Sequence, residues 1–187
     1  MAELMRTERL ILRPFEERDI AVFADYRSDP DVARYQGWNL PFSLDHAVEF
    51  FDEMKTHTLG EPGSWYQMAL ELKSSGVMIG DAAVKVLGED QCQAEIGLTF
   101  ARPYQGQGYG SEVTARLLEY LFEKLGLHRV RAGIDPQNIA SARVLARNGL
   151  RHEARLIESL WLRGAWVDED WYAILAQEWK VRKRSPV

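Results

Sequence analysis

A glycine-rich segment past the middle of the chain constrains the possible folds most. Residues 104–111 read Tyr-Gln-Gly-Gln-Gly-Tyr-Gly-Ser and lie between an apolar stretch and the clearest amphipathic helix of the sequence. Glycines remove the side chains that would keep a ligand away from the backbone. The first turn of the following helix leaves amide hydrogens free, and its dipole attracts anions. We therefore predict a loop that holds a phosphate or pyrophosphate.

Two familiar phosphate-binding patterns fit this loop poorly. A P-loop requires Gly-Lys-Ser or Gly-Lys-Thr, and neither occurs in the chain. A dinucleotide-binding fold requires G-x-G-x-x-G near the start of its domain. Gly106 and Gly108 match its first two glycines, but Ser111 occupies the third place and the loop lies beyond the midpoint. A third pattern, Gln or Arg, two residues, Gly, one residue, then Gly or Ala, is satisfied by Gln105, Gly108 and Gly110.

The periodicity of the remaining sequence predicts helices packed on one sheet. Strands are predicted over residues 9–15, Trp65–Leu72, Val77–Val86, Gln93–Phe100, Arg129–Ile134, 155–162 and 166–175. Four helices are predicted: after Asp19, after Ser43, directly after the glycine-rich loop, and over residues 139–148. No linker or repeat is evident. We therefore expect a single domain over about residues 7–180, followed by a short basic tail at residues 180–187.

Composition narrows the class of protein. The 187 residues carry a net charge of −5 with both signs interspersed, which argues against direct nucleic-acid binding. No apolar run is long enough to span a membrane, and the N-terminus does not resemble a secretory signal. A single cysteine, Cys92, allows no internal disulfide, so a cytoplasmic location is the simplest expectation. The four histidines show no metal-ligand spacing, so no metal is expected.

The motifs, taken together and in order, resemble the GNAT acyltransferases. The third glycine pattern resembles their pyrophosphate loop. Asn138-Ile139-Ala140-Ser141 followed by Arg147-Asn148-Gly149-Leu150 resembles their second signature. The serine at 141 and the C-terminal run from 166 to 179 are similar to the RimJ/RimL-like branch. The resemblance spans residues 7–179. It implies an α+β fold with one central mixed, mostly antiparallel sheet, splayed between its fourth and fifth strands and flanked by about four helices.

The resemblance also implies where acetyl-CoA, the co-substrate, is bound. Backbone groups on the fourth strand would bond the pantetheine arm, namely Leu98, Thr99 and Phe100. Amides of the loop would hold the pyrophosphate, namely Gln105, Gly106, Gln107, Gly108, Tyr109, Gly110 and Ser111. Asn138 would bond the arm where the strands part, although capping the next helix is equally good chemistry for an asparagine. Arg147 would meet a phosphate, although a solvated surface arginine is an alternative.

Catalytic roles follow from the resemblance with two departures from common patterns. Many relatives protonate the departing thiolate with a tyrosine seven residues after the asparagine, and here that residue is Leu145. Ser141 takes the role in this interpretation; the alternative is a helix serine bonded to its own backbone. Some relatives carry a glutamate five residues before the asparagine, where this chain has Gly133. Glu95 is therefore the candidate base, directly or through water, unless it is a structural carboxylate paired with an arginine.

The resemblance implies an amine acceptor, attacked directly, without naming it. The RimJ/RimL-like branch suggests the N-terminal α-amine of a protein, including a ribosomal protein. Small amines, such as amino acids, polyamines and aminoglycoside-type antibiotics, are the alternative. Tyr35, Trp38 and Trp65 either line an acceptor pocket or pack in the core. A non-catalytic acyl-CoA-binding module and a dinucleotide-dependent oxidoreductase are the competing classes, and the chain is expected to be a monomer or a homodimer.

Overall fold

The structure is a computed structural model and describes residues 3–88 and 92–184. Its strands are β1 (Met5–Arg6), β2 (Leu10–Arg13), β3 (Trp65–Leu72), β4 (Val77–Val86), β5 (Gln93–Phe100), β6 (Arg129–Ile134), β7 (Arg151–Leu162) and β8 (Ala165–Leu175). Its α-helices are α1 (Ile20–Ser28), α2 (Pro30–Ala33), α3 (Leu44–Met54), α4 (Tyr109–Glu119), α5 (Ile139–Arg147) and α6 (Ala176–Arg184). Short 3-10 turns precede α1 and α4, and a π-helical turn extends α4.

All eight described strands form one sheet, in the order β1-β2-β3-β4-β5-β6-β8-β7. Every neighbouring pair is antiparallel except β5 and β6, which run parallel. Parallel neighbours need a long crossover connection, and α4 with its π-helical extension supplies it. The predicted α+β class with a mixed, mostly antiparallel sheet is therefore confirmed.

The number of helices and some boundaries differ from prediction. The described residues form six α-helices rather than about four. The two additional helices are hard to predict from the sequence, since α2 is a single turn and α6 has no buried residues. Such a helix shows no apolar periodicity, so the sequence reads as a tail. Helix α6 is held by contacts with residues distant in sequence: Lys183 lies 2.6 Å from Glu123, and Trp179 packs against Phe122. Residues 185–187 of the expected tail lie outside the described residues.

Strand ends also shift for local reasons. The first predicted strand, residues 9–15, is observed only over Leu10–Arg13. Pro14 follows directly, and proline has no amide hydrogen with which to continue a ladder. The strand predicted at residues 155–162 begins four residues earlier, at Arg151. Its exposed side chains give this edge strand little apolar alternation to mark where it starts.

Two groups of buried side chains pack on opposite faces of the sheet. The larger group joins α4 and α5 to the sheet through residues such as Val113, Leu117 and Leu145. The smaller one is aromatic and holds α1 and α3, with Phe23 stacked on Phe50 at 4.9 Å. Successive side chains of β4 and of β5 alternate between these two faces.

Buried charges fix α1 against that second face. Tyr26 Oη donates a 2.5 Å hydrogen bond to Asp81 Oδ1, and Arg27 Nη2 lies 3.1 Å from Asp81 Oδ2. Burial, with the adjacent Asp81 carboxylate, raises the pKa of Tyr26 well above its ordinary value. Tyr26 is therefore neutral and donates its proton to Asp81. The pairing anchors α1 to the middle of β4, next to the end of β5.

Within residues 3–88 and 92–184, no helix is long and apolar enough to cross a membrane.

Candidate active site

The sheet opens between its two parallel strands. β5 and β6 are paired only at Gln93 with Arg129, Ala94 with Val130 and Glu95 with Arg131. Beyond these pairs, β5 continues to Phe100 against β4, while β6 continues to Ile134 against β8. The two strands therefore part after Glu95, and the facing edges beyond that point have no strand partner in the described part of the chain. The splayed sheet expected from the sequence is confirmed.

The glycine-rich loop lies at the open end of this cleft, because it follows β5 directly. Gly106 and Gly108 have φ angles of +72° and +85°, a region that side chains with a Cβ rarely adopt. Gly108 is the N-cap of α4 and has no side chain with which to cap it. The first amides of a helix have no intrahelical acceptor. Those of residues 109–111 consequently point out of the helix start, beside an exposed loop.

The two glutamines of the loop bond the loop itself. Gln105 Nε2 donates to Phe100 O at 2.9 Å, and Gln107 Nε2 donates to Pro103 O at 2.8 Å. The side chains thus fix the path of the backbone. The Gln105 amide donates to Arg102 O at 3.2 Å, so the predicted contact of that amide with a ligand is wrong, and the amides left for a ligand are those of residues 106–111. The bond from Gln105 also occupies one lone pair of the Phe100 carbonyl, on the strand segment predicted to contact a pantetheine arm.

Arg9, just before β2, bonds both this loop and the first turn of α4, a role that the sequence does not reveal. Its Nε donates to Glu112 Oε2 at 2.7 Å, and its Nη1 donates to Gln107 O at 3.0 Å. The guanidinium also lies over the Tyr109 ring, 4.2 Å from its centroid. Burial favours the protonated form of Glu112, but hydrogen bonds from Thr7 and Arg9 outweigh it and lower its pKa. Arg9 therefore neutralises a carboxylate in the first turn of α4, beside the loop that the sequence predicts to bind an anion.

We expect Arg9→Met to weaken acetyl-CoA binding about tenfold, which is about 1.4 kcal/mol. Without the guanidinium, the Glu112 carboxylate repels phosphate groups and the loop loses its bond at Gln107 O. Isothermal titration calorimetry with acetyl-CoA measures the change. Turnover at saturating acetyl-CoA should stay within a few fold of wild type, because no reacting atom is touched.

The control for this variant is Arg6→Met, which removes another arginine paired with a glutamate, Glu3, three residues away. Its affinity for acetyl-CoA should equal that of wild type. A double variant, Arg9→Met with Glu112→Gln, should regain part of the lost affinity. Wild-type affinity in Arg9→Met alone would show that Arg9 has no influence on the loop.

The second signature forms the start of α5, at the end of β6. Asn138 is the N-cap, and its Oδ1 accepts a 3.1 Å hydrogen bond from the Ser141 amide. The capping interpretation of Asn138 is thus correct, and its Nδ2 group has no partner among the described residues. Ser141 is half-buried, and its Oγ forms no hydrogen bond with a described residue. Both side chains lie where β6 has already parted from β5.

Helices α4 and α5 meet beside the loop. Asn148 Nδ2 donates to Ser111 Oγ at 3.0 Å, and a Cβ on Gly110 would lie 3.4 Å from Val144. A Cβ at residue 110 would thus reach van der Waals contact with α5, which shows how closely the two helices approach. Leu145, at the place of the common tyrosine, is 6% exposed and belongs to the main core. Its side chain supports α5 and takes no part in the cleft.

Arg147 is exposed and lies on the far part of α5. It borders a groove of about 440 Å³ between α4, α5 and α6, together with Arg116, Arg182 and Lys183. Arg147 therefore lies in a groove of mixed charge, because Glu112 and Glu119 also line it. Of the three aromatic candidates, Trp38 packs under Arg27, with the guanidinium 4.1 Å from the ring centroid. Trp65 is 37% exposed at the start of β3.

Glu95 occupies the last paired position before the cleft. Its Oε2 lies 3.2 Å from Arg131 Nη2, so the carboxylate is paired with an arginine, as the structural interpretation expects. Burial nevertheless raises the pKa of Glu95, since it outweighs the lowering by Arg131 and Lys85. A carboxylate whose pKa is raised is a stronger proton acceptor than an ordinary one. The ion pair and a role as base are thus compatible.

Comparison with known proteins identifies the family of this arrangement. A family model described as an acetyltransferase (GNAT) domain matches residues 9–151. YnaD of Bacillus subtilis strain 168, an uncharacterised N-acetyltransferase, is 34% identical over 174 residues, covering 92% of this chain and 97% of its own.

Solved structures agree with this match. A GNAT-family acetyltransferase from Bacillus anthracis superposes with a TM-score of 0.81 at 30% identity, over 92% of this chain and 98% of its own. RimJ of Mycobacterium smegmatis, solved with CoA-disulfide, superposes with a TM-score of 0.79 at 26% identity, over 90% of this chain and 83% of its own. The oxidoreductase and the non-catalytic module are thereby set aside. The chain belongs to the GNAT family and is an acetyl-CoA-dependent N-acetyltransferase.

Proposed function

We propose that this enzyme acetylates the α-amine of a protein or peptide N-terminus, as a member of the RimJ/RimL-like branch. The observation that carries the proposal is the cleft that opens after Glu95, with Ser141 at one side and the glycine-rich loop at its end. The 26% identity to RimJ over most of both chains supports the branch. Acetylation of a small-molecule amine is the alternative within the same chemistry.

In this proposal, acetyl-CoA lies along the free edge of β5. The amides of residues 106–111 bind its pyrophosphate, since they combine glycine backbone that a ligand can approach closely with the positive end of the α4 dipole. Leu98 and Phe100 offer backbone groups to the pantetheine arm, in the manner of an added strand. The Thr99 backbone points the other way, toward β4, because backbone groups alternate along a strand and the Ala101 amide already donates to Ile79 O on β4. The unpartnered Nδ2 group of Asn138 donates to the arm from the other side of the cleft. Arg147 contributes positive charge beyond the loop.

The chemical step is a direct attack of the neutral amine on the thioester carbonyl. The C–N bond forms, the C–S bond breaks, and the departing thiolate acquires the proton that the nitrogen loses. Ser141 supplies a hydroxyl for this proton, because its Oγ is not engaged by the protein. A direct transfer draws much of its rate from holding the two reactants together, so one hydroxyl supplies only part of the acceleration.

Glu95 takes up the first proton, which converts the ammonium form of the acceptor to the amine. Its position at the apex of the cleft and its raised pKa favour this role. Arg131 holds the carboxylate in place and stabilises its charged form, which is restored when the proton passes to water. Water between Glu95 and the acceptor is an equally good path for the proton.

A coenzyme A release assay tests the proposed acceptor. We expect peptides with a free α-amine to be acetylated with at least a tenfold higher kcat/KM than spermidine, free amino acids or an aminoglycoside. The same peptides with a blocked N-terminus but one lysine are the matched control, and they should release little coenzyme A. Faster release with a polyamine or an aminoglycoside than with any free peptide would refute the peptide acceptor and favour the small-amine alternative.

A further inference from the structure

A trough lined by small residues crosses the sheet directly beyond the apex of the cleft. In the register of β3, β4 and β5, Gln67 lies opposite Ala83, and Ala83 lies opposite Gly97. On the far side of the opening, Gly133 lies opposite Trp171. This row therefore contributes almost no side-chain volume between Gln67 and Trp171. A Cβ on Gly97 would meet only the Ala83 methyl, at 3.8 Å, so space is open above it.

A carboxylate from β8 occupies the place that a side chain at residue 133 would take. A Cβ built on Gly133 would lie 3.2 Å from Glu169 Oε1 and 3.1 Å from the Trp171 ring. Glu169 and Trp171 are two residues apart on β8 and so lie on the same face of the sheet. The Glu169 carboxylate thus lies at the end of the trough, on the side of the cleft opposite β5.

Glu169 has a single hydrogen-bond partner in the part of the chain that the structure describes. Its Oε2 accepts a 2.9 Å hydrogen bond from Ser159 Oγ. No cation is paired with it among the described residues, whereas Glu95 in the neighbouring row is paired with Arg131 at 3.2 Å. The Glu169 carboxylate is therefore free to pair with a cationic group of a ligand.

Unpartnered polar atoms around the trough also point to a ligand. Three atoms are buried and have no hydrogen-bond partner within residues 3–88 and 92–184: Gln67 Oε1, Arg131 Nε and Trp171 Nε1. Buried polar atoms in native proteins are nearly always satisfied, by protein, water or a bound molecule. Gln67 Oε1 is an acceptor and the other two atoms are donors, so a molecule with both donor and acceptor groups has bonds to offer at either end of the trough. An acceptor substrate with an amino group and a nearby oxygen meets that requirement.

We propose that Glu169 binds the ammonium group of the acceptor substrate at the end of this trough, before Glu95 removes the proton. Glu169 is then a substrate-binding residue that determines affinity for cationic acceptors, and Glu95 performs the proton transfer. The Trp171 N–H provides a bond for an oxygen of the same acceptor. This inference rests on amine acetylation, the chemistry assigned above, but not on whether the acceptor is a peptide or a small molecule.

The test is a steady-state comparison of Glu169→Gln with wild type, using the acceptor of highest kcat/KM from the coenzyme A release panel. We expect the acceptor KM to rise roughly tenfold to a hundredfold, because a hydrogen bond to a charged group is lost. The kcat value should stay within about threefold, because the variant weakens binding of the acceptor equally in the ground state and in the transition state. The KM for acetyl-CoA should not change. Glutamine keeps the bond from Ser159, so the strand should be undisturbed.

Two further variants separate binding from structure. Asp168→Asn removes the carboxylate of the preceding residue, which lies on the opposite face and bonds the Glu158 amide; its kinetics should match wild type. Glu169→Asp keeps the charge and should recover most of the lost affinity. If Glu169→Gln does not fold, the acceptor KM of Glu169→Asp still tests the inference, because a shorter carboxylate should bind the ammonium group somewhat more weakly.

Each outcome decides the inference. An unchanged acceptor KM in folded Glu169→Gln overturns it, as does a fall in kcat at constant KM, which would give Glu169 a chemical role instead. Equal losses in Glu169→Asp and Glu169→Gln would mean that shape rather than charge matters, and would also overturn it. Absence of turnover by the wild-type enzyme with every amine of the panel would instead refute amine acetylation itself.

Discussion

A Gly108→Val variant loses measurable affinity for acetyl-CoA and keeps its fold. Gly108 has a φ of +85° and lies at the N-terminus of α4, where the amides that meet the pyrophosphate begin. A valine strains the backbone by about 1–3 kcal/mol at such an angle, and its side chain blocks the approach of phosphate oxygens to those amides. Isothermal titration calorimetry measures the affinity, and circular dichroism with thermal melting verifies the fold.

The fold survives because little surrounds this glycine. A Cβ on Gly108 would meet only Arg9 Nη2, the end of a flexible side chain, at 3.5 Å. Gly76→Val is the matched control: Gly76 also has a positive φ, +69°, with nothing within 4 Å of a Cβ, but it lies in the β3–β4 turn. The control should suffer the same backbone strain and bind acetyl-CoA normally. Normal binding by Gly108→Val would place the phosphate site elsewhere.

The sequence predicts most of the elements around this loop because their signals are local. The strands Trp65–Leu72, Val77–Val86, Gln93–Phe100 and Arg129–Ile134 are observed at the predicted bounds. Their side chains are apolar or alternating over a full strand, so the pattern itself sets the limits. Helix α6 has no such pattern and is not predicted. It is held by the ion pair of Lys183 with Glu123 and by the packing of Trp179 against Phe122, in the π-helical extension of α4.

In the candidate site, too, the residues with a local sequence signal can be predicted and those placed by distant contacts cannot. Glycines at positive φ and an asparagine cap are properties of a few consecutive residues, so Gly106, Gly108 and Asn138 can be located from the sequence alone. Arg9 cannot, because its partner Glu112 lies 103 residues away. Glu169 is hidden for a similar reason: its closeness to Gly133 depends on the pairing of β6 with β8, which no local pattern encodes.

Ser141→Ala lowers kcat roughly tenfold to a thousandfold and leaves the affinity for acetyl-CoA nearly unchanged. If the hydroxyl serves the departing thiolate, its contribution arises in the transition state rather than in the ground state. The structure makes alanine a clean replacement, since Asn138 Oδ1 is bonded to the amide of residue 141 and not to its side chain. The cap is therefore preserved, and alanine favours a helix more than serine does.

The comparison variants for Ser141 separate a proton donor from a helix residue. Ser141→Thr keeps a hydroxyl and should retain more activity than Ser141→Ala at saturating substrates. Glu95→Gln should change the pH profile instead. Wild-type activity falls as the pH drops, because Glu95 becomes protonated. This fall occurs at a higher pH than for an ordinary carboxyl, because burial raises the pKa of Glu95. Removing that group should abolish this part of the acidic limb, whereas Ser141→Ala should keep it. Unchanged turnover in Ser141→Ala would leave the serine as part of α5 only, and the proton would then reach the thiolate through water or through Tyr104 or Tyr109 beside the loop.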